Sequence, residues 1–166
     1  MARRMILLMA VTSVALAAAP SLHAGGATCL GAPATITGTS AGDEIDGTPG
    51  RDVIQGFGGR DEINGAGGND RICGGTDNDT MSGKLGRDLV AGQGGNDSLI
   101  GGLGDDVLTG GQGRDSATGG PGSDVMKGGP GNDTLMGGGG RDFARGGPGF
   151  DSCLAERMAC ESFPGE

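Results

Sequence analysis

Aspartate recurs at every ninth position from Asp43 to Asp151, thirteen times without a gap. The series runs Asp43, Asp52, Asp61, Asp70, Asp79, Asp88, Asp97, Asp106, Asp115, Asp124, Asp133, Asp142 and Asp151. A Gly stands five residues before each of them, and a second Gly two residues before all but two, where Ala41 and Asp77 replace it. Two residues after each comes an apolar or small side chain, from Ile45 and Ile54 through Leu99 and Leu108 to Ala144 and Cys153. A strict period of this length dictates a repeat architecture, because each copy must take the same backbone path and bury the same position.

The unit reads G-G-x-G-x-D-x-U-x with U apolar, and is numbered here from its first Gly, so that Asp is position 6 and U position 8. Its first six residues are turn formers. The last three suffice for one short strand whose middle side chain points inward. Two units therefore make one flattened coil of 18 residues with a turn at each edge, and stacked coils lie about 4.8 Å apart. Residues 18 apart then share an edge. Asp43, Asp61, Asp79, Asp97, Asp115, Asp133 and Asp151 form one ladder; Asp52, Asp70, Asp88, Asp106, Asp124 and Asp142 form the other. Like charges at that spacing repel by about 1 kcal/mol in water and about 3–4 kcal/mol at an effective dielectric of 20, so a cation belongs between them. Carboxylate and carbonyl oxygens in flexible loops suit Ca²⁺ better than the rigidly octahedral Mg²⁺.

The best copies, Gly101-Gly102-Leu103-Gly104-Asp105-Asp106-Val107-Leu108-Thr109 and Gly128-Gly129-Pro130-Gly131-Asn132-Asp133-Thr134-Leu135-Met136, resemble the RTX, or haemolysin-type, calcium-binding nonapeptide. The resemblance covers residues 38–154. It implies an all-β parallel β-roll of 18 residues per coil, with two short parallel sheets and calcium-binding turns at both edges. It also implies several Ca²⁺ ions, each bridging turns of adjacent coils and held by the position-6 Asp and loop carbonyls. All thirteen ladder aspartates are thus candidate metal ligands.

Composition alone reads as a flexible linker, with 40 Gly in 166 residues and 2% aromatics. A linker has no reason to keep an apolar residue two positions after every Asp. The buried row is thin, however, and glycine raises the entropy lost on folding. Ion binding should therefore supply folding free energy, and removal of calcium should leave the chain mostly unfolded. The copies are not equal: Ala117 and Ala144 bury little, and Thr39-Ser40-Ala41 of the first lacks the inner glycines. Copies at and near the ends are the natural places for weak or missing ions. Asp77 tolerates a left-handed backbone, so its turn should survive. Position 5 holds Arg51, Arg60, Arg87, Arg114 and Arg141, read as solvated charge. Asn69, Asn78, Asn96 and Asn132 share that position, read as tolerance for positive φ.

Residues 1–24 read as a secretory signal peptide: Arg3 and Arg4, an apolar run from Met5 to Ala19, and cleavage after Ala24. The run is short for a membrane span, and no lipobox precedes Cys29. The expected product is exported and soluble. Residues 25–37 read as an N-terminal cap, with Pro33-Ala34-Thr35-Ile36 a degenerate starting strand, and residues 155–166 as a C-terminal cap. Without its arginines the leader leaves ten basic residues against 21 acidic ones, a formal charge of −11 that disfavours nucleic acid and anionic membranes. Four Cys in an oxidising compartment allow three pairings. The pairing favoured is Cys29 with Cys73 and Cys153 with Cys160.

The inventory argues against an enzyme. The only His is His23, inside the leader, so a Ser-His-Asp triad is unavailable to the mature chain. Zinc-protease and P-loop patterns are absent. With neither Trp nor Tyr, a carboxylate-only glycosidase lacks sugar platforms. The expectation is a secreted, non-catalytic calcium-binding protein with a structural or cell-surface role. The alternatives are an adhesion protein using one solenoid face, or the detached repeat region of a type I-secreted toxin or protease.

Overall fold

A computed structural model describes residues 27–154 and the backbone of 162–163. Within them the chain is a parallel β-roll. One seven-stranded sheet contains Glu44–Asp46, Glu62–Asn64, Thr80–Leu85, Ser98–Leu103, Ser116–Gly122, Thr134–Gly140 and Ser152–Leu154, in that order. The other contains Ile36–Thr37, Val53–Phe57, Arg71–Thr76, Leu89–Gly94, Val107–Gln112, Val125–Lys127 and Phe143–Arg145. Successive strands therefore alternate between the sheets. Every neighbour within a sheet is parallel and registered 18 residues away, as in Leu99↔Ala117 and Leu108↔Met126. No helix among the described residues is long and apolar enough to cross a membrane.

Position 8 of each unit fills the space between the sheets. Ile45, Ile54, Ile63, Ile72, Met81, Val90, Leu99, Leu108, Ala117, Met126, Leu135 and Ala144 make one continuous buried row, with Ile36 and Cys153 packed at its ends. The alternation explains the row: in a three-residue strand only the middle side chain faces inward. Positions 7 and 9 face out, which leaves Leu89, Ser98 and Thr109 only half-buried.

The amino-terminal segment adds a second, smaller cluster. Thr28–Cys29 and Ala32–Pro33 form an antiparallel hairpin around Leu30 and Gly31, both at positive φ. Cys29 is bonded to Cys73, as the sequence favoured. It packs with Val53, Cys73 and Ala91, which are outward-facing positions of one sheet, and with Ala32 and Ala34. The hairpin thus covers a sheet face, whereas Ile36–Thr37 itself pairs with Val53–Phe57 and ends that sheet. Of the expected starting strand Pro33-Ala34-Thr35-Ile36 only Ile36 lies in this strand, Ile36–Thr37, while Pro33 belongs to the hairpin. At the far end Gly147–Pro148 pairs with Ser162–Phe163. Cys153 is also disulfide-bonded; its favoured partner Cys160, like the signal peptide, lies outside the described residues.

Candidate metal centre

The 18-residue register brings the aspartates to two edges, as the parity of the series requires. Eleven of the thirteen are buried; Asp43 and Asp151, at the ends of one edge, are half-buried. Within each edge the carboxylates are linked through the backbone. The N–H of Asp79 donates to Oδ1 of Asp97 at 2.9 Å, and that of Asp97 to Oδ1 of Asp115 at 2.9 Å. On the other edge Asp88 donates to Asp106 at 2.8 Å, and Asp106 to Asp124 at 2.9 Å. The same bond joins every neighbouring pair, from Asp43 with Asp61 to Asp133 with Asp151, and from Asp52 with Asp70 to Asp124 with Asp142. Sequence reasoning missed this use of one oxygen per carboxylate. No residue type signals it, because the donor is a main-chain amide.

The second oxygen is left over. Oδ2 of Asp61, Asp70, Asp79, Asp88, Asp97, Asp106, Asp115, Asp124, Asp133 and Asp151 is buried and has no hydrogen-bond partner. Such an atom costs on the order of 1–3 kcal/mol, more when charged, so ten in register mark a site built for something else. The first Gly of each unit shapes the space beside it. A methyl group added at Gly101 would overlap Oδ2 of Asp106 and stand 2.6 Å from the carbonyl oxygen of Gly119, one coil on. At Gly92 the same construction meets Oδ2 of Asp97 and, at 2.5 Å, the Gly110 carbonyl oxygen. Oxygens of two coils therefore converge where position 1 has no side chain.

Positions 2 and 4 complete the turn. From the third unit onward both have positive φ, and four residues at position 2 are not glycine: Phe57, Ala66, Lys84 and Gln93. Asp77 takes the left-handed conformation at φ 79°, so its turn survives as anticipated. The Asn residues at position 5 need a correction. None has positive φ. Instead Oδ1 of Asn69 accepts from the Arg87 N–H at 2.9 Å, that of Asn96 from Arg114 at 2.7 Å, and that of Asn132 from Phe150 at 2.9 Å. The five arginines of position 5 are exposed.

Burial pushes the ladder carboxyls up. Asp79, Asp97, Asp124 and Asp133 rise to about 6, first through desolvation and then through the neighbouring aspartates; the hydrogen bond from the preceding coil's amide opposes the rise. Asp61, Asp70, Asp88, Asp106 and Asp115 move the same way for the same leading reason. Among the described residues no three acidic, Cys or His side chains gather at one point. A cation here must draw most of its ligands from main-chain oxygens, which is chemistry for a hard ion.

The family model for the RTX calcium-binding nonapeptide repeat (four copies) matches residues 37–72, 57–90, 73–108, 82–117 and 118–153. The chain belongs to this family. No curated protein and no solved structure matches it. RTX repeats imply calcium as the ion, and the residues present fit it: an oxygen-only donor set, orphaned buried carboxylate oxygens, and a gap that any position-1 side chain would fill.

Proposed function

We propose that this chain is an exported RTX rod that folds when Ca²⁺ enters between its stacked turns, and that its role is structural rather than catalytic. The ten unpartnered Oδ2 atoms carry the reading. A buried anionic oxygen is stable only when paired, and a carbonyl oxygen of the next coil converges on the same space beside position 1. The residues that would hold the ions are the ladder aspartates, from Asp61 to Asp151, together with backbone carbonyls of the turns. Bound calcium would supply positive charge and multiple coordination, and so the free energy that a single row of apolar side chains lacks. The Cys29–Cys73 bond supports export, because structural disulfides persist in oxidising compartments. The segments proposed are a leader over 1–24, a cap over 25–37, the roll over 38–154 and a closing segment over 155–166.

The test is a calcium titration of the chain lacking residues 1–24, following ions bound and far-ultraviolet circular dichroism together. Calcium at millimolar concentration, but not magnesium, is expected to convert a disordered spectrum into a β spectrum. A spectrum unchanged by chelator would overturn the proposal.

A further inference from the structure

The first turn on each edge differs from all those after it. In the first unit Oδ2 of Asp43 accepts from the Thr39 N–H at 2.6 Å and from the Thr39 hydroxyl at 2.9 Å. In the second, Oδ2 of Asp52 accepts from the Thr48 N–H at 2.7 Å and the Thr48 hydroxyl at 2.9 Å. These are the oxygens that stand unpartnered in ten later units. The backbone differs to match. Thr39 and Thr48 occupy position 2 without positive φ, whereas every position-2 residue from Phe57 to Gly147 has it. In a later turn the position-2 N–H faces the next coil, as Gly111 N–H donates to the Gly128 carbonyl and Gly129 N–H to the Gly146 carbonyl, both at 2.8 Å. In the threonine turns the same N–H faces the carboxylate. The hydroxyl is also oriented, since the Thr48 Oγ1 accepts from Gly50 N–H at 3.2 Å and the Thr39 Oγ1 from Ala41 N–H at 3.1 Å.

We infer that Thr39 and Thr48 close the first turn of each edge without calcium, their N–H and O–H groups taking the place of the cation at Asp43 and Asp52. This rests on the calcium reading of the later turns and adds which aspartates stand apart from it. Two donors on one carboxylate oxygen form charge-assisted hydrogen bonds that satisfy the anion. They also point their positive ends into the space a metal would need. Each edge therefore starts on a metal-free turn.

The second unit offers a direct test, because Thr48→Gly alone would make its loop read like Gly128-Gly129-Pro130-Gly131. Ions per chain are counted by equilibrium dialysis with calcium and by native mass spectrometry. Thr48→Gly is expected to bind one more ion than the natural chain. Thr48→Val keeps the branched shape and the N–H and should gain none. The reciprocal change, Gln93→Thr, puts threonine where a position-2 side chain already stands; it should bind at least one fewer, and keeps the inference falsifiable if the first variant misfolds. A natural chain that binds calcium, with the count unchanged in a folded Thr48→Gly or in Gln93→Thr, would overturn the inference alone. A natural chain that binds none would overturn the calcium reading and this inference with it.

Discussion

Asp106 divides its two carboxylate oxygens between two tasks. Oδ1 holds the amide of Asp88 in the preceding coil, and Oδ2 is buried with nothing to bind. Asparagine could still accept the first bond but would put an amide, a donor, where the second oxygen stands. Asp106→Asn and, on the opposite edge, Asp97→Asn should each weaken calcium binding at the neighbouring turns by about tenfold or more, equivalent to ~1.4 kcal/mol. Isothermal titration of each variant beside the natural chain checks this, and a full natural ion count at unchanged affinity in both would contradict it. Protons should compete for the same atoms. Asp79, Asp97, Asp124 and Asp133 ionise near pH 6 in the folded, metal-free chain against an ordinary value of 3.8. A raised carboxyl binds more protons folded than unfolded, so its stabilising effect is complete below 3.8 and disappears as pH rises through about 6. In chelator the chain should gain β structure as pH falls from 7 through that window. The apparent calcium affinity of the folded chain should fall over the same range, because the ion needs the ionised form. Dichroism in chelator reads the first effect, and ion counting by equilibrium dialysis the second.

The turn-and-strand unit was legible where it repeats and opaque where it does not. The two sheets, the two ladders and the buried row from Ile45 to Ala144 follow from an 18-residue register, and that register follows from the spacing of Asp and of position 8. The left-handed backbone at Phe57, Ala66, Lys84 and Gln93 does not follow from residue type. There the neighbouring coils impose a conformation that an isolated segment would avoid. The role of Asn at position 5 was misread for a related reason: its partner lies 18 residues away, and local propensity says nothing about it. Thr39 was visible as a departure from glycine, but the direction of its donors was not, and Thr48 drew no expectation. Position 1 is the most exacting place in the unit. Gly101→Ala should abolish calcium uptake at its turn, since the added methyl overlaps Oδ2 of Asp106 and crowds the Gly119 carbonyl. Its expected signature is a loss of bound ions. Leu108→Ala, by contrast, removes a fully buried side chain from the row and should cost about 2–5 kcal/mol of stability in saturating calcium. Chemical denaturation separates the two, the second variant keeping its ion count.

Over the whole molecule, the amino end is fastened by covalent chemistry, and the roll beyond it by the strand register and the aspartate ladders. The Cys29–Cys73 bond spans 44 residues, for which the chain-entropy account gives a stabilisation of about 4 kcal/mol. Replacing both Cys by Ser should raise the calcium midpoint of folding while leaving the final β spectrum and the ion count unchanged. Equal midpoints for the two proteins would show that the bond contributes nothing to the folding equilibrium. The carboxylate links give the rod a direction as well. Each ladder amide is held by an aspartate that arrives 18 residues later, while the exposed position-5 links run the other way, as from the Arg87 N–H to Asn69. A polymer leaving a narrow exit with its amino terminus leading could not finish any loop until the following one had cleared the opening. Assembly would trail delivery by one full circuit, and the portion still inside the exit would stay slack enough to pass.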